Sequence, residues 1–581
     1  MLVTTPGQPI AASLLAAMAG LSLIVMSCVP AGPAGGESSA VREQRTGPRV
    51  LRMGMVDGRE PDAGIALGAG GIGGAEHTYT FHAGLTVYDP QGNLTPRIAQ
   101  KVPSIEDGDW KVFPDGRMEV TWRLRSDVKW HDGTPATATD FVFGLGILQD
   151  REMPFSRSRA ASLISEISAP DPQTLVVGWR QTYTLANASG PVDIPAVPAH
   201  LLSDLYSRGD KQAVINSQYW TKEFVGLGPY RLGEWVLGSH LEALAFDEYF
   251  LGRPGIDRLV FRYIGDGNVL YVSLLAGEVD TIPFGSFQAD HFVLMKNQWE
   301  STGAGTALAV FSGTRNYRFQ LRDPGAPWTR DTRVRRALIQ MLDRQTLADA
   351  LLAGLSAPAD TLVLPTDPIY RMVEQRGLAR YPFDLTRAQR LMADAGWSRA
   401  QDGPYRSDTG EPLAIEVRFT DYIANVKEGE AVAGQWRAAG LDVSTAMVPD
   451  TAPSAVRNEM RHTYPGVLAG PLRDTHEALE AFISTQTGTQ ANRWNGSNRG
   501  AYSNAAFDRL YDQSIVTLDL NARQGLIADM LKIEADDAVS IHLFYDMQQQ
   551  TVAFRKGVRG PGPVPAVQLA TAWNIHTWEM D

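Results

Sequence analysis

Ten histidines and one cysteine are the residues of this 581-residue chain best suited to hold a metal or attack a carbonyl, and their spacing argues against both uses. No His-Glu-x-x-His run occurs and no two histidines stand four apart. His77 and His82 are five apart, which does not bring them together on one helix face. There is no Gly-x-Ser-x-Gly elbow. The lone thiol, Cys28, excludes paired thiolates for zinc and any internal disulfide. We therefore expect no built-in metal, no cofactor and no catalysis. Carboxylate pairs can be drawn almost anywhere among 65 Asp and Glu residues, so such a pair alone carries no weight. Gly68-Ala-Gly-Gly-Ile-Gly73 satisfies the dinucleotide glycine pattern, but no strand, turn and helix surround it; a loop after a first strand over Val50 to Val56 is the better reading. A Gly-x-x-x-x-Gly-Lys-Ser/Thr phosphate loop is absent as well.

Cys28 has a telling position. It follows the uncharged apolar run Ile10 to Ser27 and precedes VPAGPAGGESSAVREQRTG. The run has the length of a signal-peptide core rather than of a membrane span, and it ends in small residues rather than in a basic cluster. Val25-Met26-Ser27-Cys28 resembles the lipobox of bacterial lipoproteins, whose cysteine is acylated after cleavage. Residues 1–27 are read as a signal peptide and 28–47 as the anchor cysteine with a flexible tether, too poor in apolar surface to order itself. An ordinary signal peptide, or an uncleaved anchor with an incidental cysteine, is the alternative. Both place the remainder outside the cytoplasmic membrane, held at its outer face by the lipid in the first case.

The elements that must position any site come from the rest of the chain. It is 44% hydrophobic and 20% charged, ordinary globular composition. More than 550 residues follow Cys28, too many for one core, so two or three lobes are expected. A net charge of -12, with no basic run longer than Arg335-Arg336, argues against a nucleic-acid partner. No second long apolar segment and no fixed-period repeat follows.

Residues 120–143 read VTWRLRSDVKWHDGTPATATDFVF. Val120, Trp122 and Leu124 alternate with Thr121, Arg123 and Arg125, the period of a half-buried strand. Asp132-Gly133-Thr134-Pro135 makes a tight turn, and Thr139 and Asp140 before Phe141-Val142-Phe143 mark a helix start. In wording this element resembles the hallmark segment of the family 5 extracellular solute-binding proteins, the oligopeptide, dipeptide and nickel binders of ABC importers. Further segments agree in order: Phe224-Val-Gly-Leu-Gly-Pro-Tyr-Arg-Leu, Phe246 to Leu259, Leu274-Leu-Ala-Gly-Glu-Val-Asp280, Asp331-Thr-Arg-Val-Arg-Arg-Ala-Leu, Met341-Leu-Asp-Arg, Asp394-Ala-Gly-Trp397, Trp436 to Val443, and Tyr502-Ser-Asn-Ala-Ala-Phe-Asp508. The resemblance runs from about residue 49 to the C-terminus.

The resemblance implies an α/β, two-lobed periplasmic-binding-protein fold of type II, a Venus flytrap with an inserted accessory domain. Carried onto this chain, residues 48–80, 222–310 and 546–581 form lobe I, 81–221 the accessory domain and 311–545 lobe II. It also implies a monomeric binding subunit that captures a peptide or other small solute between the lobes. The solute then passes to an ABC importer's permease, driven by its ATPase. A buried second-lobe carboxylate, in a tryptophan-x-x-aspartate-tyrosine-x-aspartate-proline pattern, pairs with the peptide's amino group in such proteins. Here the matching stretch, Tyr464-Pro-Gly-Val-Leu-Ala-Gly-Pro-Leu-Arg-Asp474, lacks that pattern, and Gly470 falls about where the carboxylate would be. Asp474 either serves from a shifted register or caps a helix before His476 to Ile483. Arg473 either offers a guanidinium fork to a carboxylate or phosphate or is a solvated surface arginine. The ligand class therefore stays open: a peptide, or an oligosaccharide, opine or chelated metal. A secreted hydrolase that kept the lobed fold is the reading from another class.

The same resemblance places His77 and Tyr79 near the cleft, with a surface loop as the plainer reading. Arg493-Trp494-Asn495 and Tyr502 fall where relatives place cleft residues; Trp494 suits ligand stacking or core packing. Phe311 and Tyr317 flank the expected hinge crossing, as ligand contacts or as structural wedges.

Overall fold

Residues 120–143 show how local pattern becomes structure. In the computed structural model, which describes residues 47–56, 60–61, 74–150, 152–153, 159–287, 289–311, 313–400, 403–449, 452–472, 475–547, 551–562 and 570–581, Met118–Arg123 is a strand with Met118, Val120 and Trp122 buried. The turn closes through Gly133, at φ +88°, with the Trp130 N–H donated to the Thr134 carbonyl at 2.8 Å. Helix Ala138–Gln149 starts from Thr137, whose backbone N–H donates to Asp140 Oδ2 at 2.8 Å. Asp140 also accepts from the Trp130 indole at 3.3 Å and from the Ala199 N–H at 3.0 Å, so one carboxylate ties turn, helix and the next helix together.

Three larger sheets organise Pro48–Asp581, a compact unit. The first has seven strands in the order Gly305–Ala309, Thr551–Arg555, Thr281–Ile282, Val50–Met55, Arg258–Tyr263, His240–Ala245, Tyr230–Val236. Val50–Met55 lies parallel to both neighbours and carries Leu51, Met53 and Met55 into the core. The second has five strands in the order Asp442–Val448, Ala414–Thr420, Gly466–Leu472, Thr314–Phe319, Ser540–Tyr545. The third has four, Trp110–Val112, Met118–Arg123, Thr174–Trp179 and Ile164–Asp171.

The chain leaves the seven-stranded sheet after Ala309 and enters the five-stranded one at Thr314; it returns between Tyr545 and Thr551. One apolar core joins the seven- and four-stranded sheets, with Met53, Trp122 and Phe261 in it. A second lies under the five-stranded sheet and includes Val417, Phe419 and Trp436 together with Leu270, Ile282 and Phe292 from the seven-stranded side. A third is built by helices between residues 362 and 539.

The glycine-proline-tyrosine segment owes its glycines to close approach. A Cβ on Gly226 would stand 1.9 Å from the Phe81 carbonyl oxygen, and one on Gly228 would be 2.3 Å from the Phe81 carbonyl carbon. Two histidines hold this loop as neutral rings: His131 Nδ1 accepts the Gly226 N–H at 3.0 Å and its Nε2 faces the Gly228 carbonyl at 3.0 Å, while His82 Nδ1 accepts the Leu227 N–H at 3.2 Å. Desolvation lowers His131 to about 4 and His82 to about 3.

Candidate functional site

The two segments that cross between the sheets touch through their backbones, the Asp546 N–H donating to the Gly313 carbonyl at 3.0 Å. Gly313 has φ +86°, a conformation that a side chain would strain, so the outgoing segment turns sharply before its strand begins. Beside the crossing lies a buried ion pair. Arg315 Nε and Nη2 reach the two Glu428 carboxylate oxygens at 2.7 and 3.0 Å, and Nη2 also donates to Asn425 Oδ1 at 2.7 Å. The carboxylates of Glu428 and Asp546 raise the Arg315 pKa despite burial.

Strand periodicity sorts the five-stranded sheet into two faces. Arg315, Tyr317 and Phe319 point to one side. Asn316, Arg318 and Gln320 point to the other, opposite Gly470, Leu468 and Gly466 of the antiparallel neighbour. On that polar face Asn316 donates to Ser540 Oγ at 2.8 Å, Thr314 Oγ1 meets His542 Nδ1 at 2.9 Å, and His542 Nε2 faces Glu534 Oε2 at 3.3 Å. The Ser540 hydroxyl donates to Glu534. The same hydroxyl stands 3.4 Å from His542 Nε2, so Ser540, His542 and Glu534 form one buried polar cluster. At the Gly470 end, a Cβ would lie 3.3 Å from Arg318 Nη2.

A corner of aromatic and cationic groups borders this face. Tyr464 is buried and donates its hydroxyl to the Arg318 carbonyl at 3.1 Å. His462 spans Asn458 and Gly496 carbonyls at 2.7 and 3.1 Å, and its ring lies 6.3 Å from that of Trp494. The Arg322 guanidinium sits 5.3 Å from the Trp494 ring centroid. Arg493 and Trp494 both have φ near the left-handed region, 57° and 58°. For bulky side chains that is an uncommon and strained backbone, of the kind that gathers at ligand clamps.

The residues expected at the site are placed unequally. Trp494 is half-buried in the corner just described, with Arg493 and Asn495 exposed beside it. Tyr317 is wholly buried in the apolar core, where desolvation raises its pKa strongly. Phe311 is half-buried against that same core. Tyr502 is buried and donates its hydroxyl to Asp537 Oδ2 at 2.6 Å. His77 sits in helix Gly74–Phe81 rather than in a surface loop, buried, with Nε2 at 2.9 Å from the Tyr263 hydroxyl. Tyr79, two residues on, packs against the first core in the same helix. Cys28, the Gly68–Gly73 run, Arg473 and Asp474 lie outside the described residues. Arg318, Tyr464, His462 and Arg499 were not anticipated, although the alternation Asn316, Arg318, Gln320 within a strand is a readable sign of a polar face. Among the described residues no group of three or more His, Cys, Asp or Glu side chains is poised around a metal position, and no helix is long and apolar enough to cross a membrane.

The model of the bacterial extracellular solute-binding proteins, family 5 (middle), matches residues 100–493, and the chain belongs to this family. An oligopeptide-binding protein of Bacillus subtilis, AppA, is 22% identical over 509 residues, 86% of each chain. A nickel-binding periplasmic protein of Escherichia coli is 25% identical over 479 residues, 79% of this chain and 83% of its own length. Putative ABC transporter peptide-binding proteins of Brucella align at 22% identity over 56% of this chain and 57% of theirs, so the chain spans little more than half the length of those relatives. Among solved structures, an oligopeptide-binding protein of Thermus thermophilus with a pentapeptide superposes with TM-score 0.72 at 21% identity, covering 91% of this chain and 96% of that one. NikA of Brucella suis with Fe(III)-EDTA gives TM-score 0.72 at 21% identity, over 92% of this chain and all of the other (100%). The fold is thus the two-lobed α/β fold of these binding proteins.

Proposed function

We propose that this chain is the lipid-anchored, extracytoplasmic substrate-binding subunit of an ABC importer. It captures a peptide or peptide-like solute between two lobes and presents it to a membrane permease worked by a separate ATPase. The observation that carries the reading is the double crossing. Among the described residues the two sheets are joined by two short segments, which meet at the Asp546 to Gly313 bond, and such a joint permits an open and a closed state that a ligand touching both lobes would bias. Family membership and the likeness to peptide-bound structures support it. The proposed lobes are 48–80, 222–310 and 546–581 for lobe I, 81–221 for the accessory domain and 311–545 for lobe II, and the strand order of the sheets supports this division. Trp494, Arg493 and Asn495 are the leading candidate ligand contacts, and Arg473 and Asp474 are further candidates.

A thermal-shift screen of the purified body against di- to pentapeptides tests the solute; stabilisation by peptides supports the reading, and a response only to sugars or chelated metals removes the peptide part. Cys28→Ser tests the anchor, with release of the protein from the membrane fraction expected. One observation favours the second reading, a non-peptide solute bound by the same fold: Arg318 Nη2 lies 3.3 Å from where a Cβ of Gly470 would stand, and Gly470 is the residue that the resemblance aligns with the carboxylate for a peptide's amino group.

A further inference from the structure

Five arginines are buried among the described residues, and four have partners. Arg97 donates to the Trp573 carbonyl, Arg315 pairs with Glu428, Arg335 bonds the Asp537 and Trp328 carbonyls, and Arg344 meets Asp360 and three backbone carbonyls. Arg318 is the fifth. It is 5% exposed, yet its side chain has no hydrogen bond and no ion pair among the described residues, and its Nε is sealed from solvent.

Its neighbours make the deficit worse. Arg499 is half-buried, likewise without a side-chain partner, and is lowered to about 9 by desolvation and then by the charges of Arg318 and Arg461. Arg461 in turn lowers Arg318. Glu416, a carboxylate of the adjoining strand, is engaged by Arg418 at 2.6 Å. The buried Tyr464 phenol beside it brings no negative charge, since burial raises its pKa and its hydroxyl is donated to the Arg318 carbonyl. A buried, unpaired cation is strongly unfavourable, and an anion that joins Arg318 and Arg499 would relieve both.

We infer that Arg318 and Arg499, with Arg461 beside them and Gly470 leaving the room, form a subsite for an oxyanion, a carboxylate or phosphate, carried by the solute. This rests on the reading of the protein as a solute binder and makes its ligand one that brings negative charge to the Gly470 position. Guanidiniums suit that role because their paired N–H groups match the two oxygens of such a group. The Arg322 and Trp494 pair, held by strained backbone, forms the flank on which the uncharged part of the solute would lie.

The test uses the body from residue 48 on with inorganic phosphate and succinate as probes, against sodium chloride of matched ionic strength, read by thermal shift and calorimetry. The wild type should be stabilised by at least one probe. Arg318→Met and Arg499→Met should each weaken that response at least tenfold, and Arg318→Met without the probe should melt no lower than wild type. Gly470→Asp, which places a carboxylate against Arg318, should raise the melting point and abolish the response. Stabilisation by phosphate alone or by succinate alone identifies the oxyanion class. No response in the wild type, an equal response in all variants, or a marked loss of stability in Arg318→Met with no gain in Gly470→Asp overturns the subsite. If a peptide amide or neutral solute binds and Arg318→Met leaves its affinity unchanged, the subsite fails while solute binding stands. If no solute of any class binds, the reading beneath it fails.

Discussion

Arg315 and Glu428 form a two-pronged ion pair, 2.7 and 3.0 Å, between the strand that leaves the crossing and helix Ile423–Ala438. Both side chains are almost wholly buried, at 4% and 0% exposure. Removing one partner leaves the other charge unsolvated, which in buried pairs costs about 3–5 kcal/mol. Glu428→Leu should therefore lower the unfolding free energy by that amount, seen as a lower urea midpoint, and Arg315→Met combined with Glu428→Leu should recover much of the loss. A double variant no better than the single one would contradict the pairing.

Trp436 anchors the same helix from its other end. Its ring is fully buried and its indole N–H donates to the Leu338 carbonyl at 2.9 Å. Trp436→Ala should destabilise by about 3–5 kcal/mol through the cavity left behind. Trp436→Phe should cost less, about 1–3 kcal/mol, because the ring mostly remains while the Leu338 carbonyl loses its donor. Equilibrium unfolding distinguishes the two.

Acid should weaken the protein through the two histidines that hold the Gly226–Gly228 loop. Their folded values, about 4 for His131 and about 3 for His82, lie below the ordinary 6.5. Below 6.5 the unfolded chain therefore takes up protons that the native rings do not, and stability falls as pH drops from about 6.5 toward 4. Each ring contributes on the order of 1–2 kcal/mol between pH 7 and 5. A His131→Gln variant should show a flatter dependence of its urea midpoint across that interval; an unchanged slope would remove the assignment.

Tyr502 spends its hydroxyl on Asp537, which also accepts from Asn504 Nδ2 at 3.1 Å. Tyr502→Phe should cost about 1.5–3 kcal/mol of stability. Its solute affinity should match the wild type, because that oxygen is committed to the protein itself. Isothermal titration beside an unfolding curve separates these effects.

Fold class was legible because its signals are local or repeated. The alternation of Val120, Trp122 and Leu124, the Gly133 turn and the Thr137 to Asp140 start reported a real strand, turn and helix. The site was less legible because it depends on which side chains distant segments bring together. Gly470 could be singled out as a missing carboxylate, yet nothing near it in sequence says that Arg318, some 150 positions earlier, borders the same space. Tyr502 lay in a recognisable segment, but only the folded structure reveals that Asp537 claims it. His77 stood beside a glycine-rich stretch that suggested a loop, whereas helix Gly74–Phe81 carries it inward to Tyr263.

The second apolar core draws on strands and helices from both sides of the crossing, Val417, Phe419 and Trp436 from one side and Leu270, Ile282 and Phe292 from the other. Neither half can expose its share of that surface without uncovering its neighbour's. Heating should therefore disrupt both together, as a single calorimetric peak rather than two resolved ones, even though the backbone passes between them only twice.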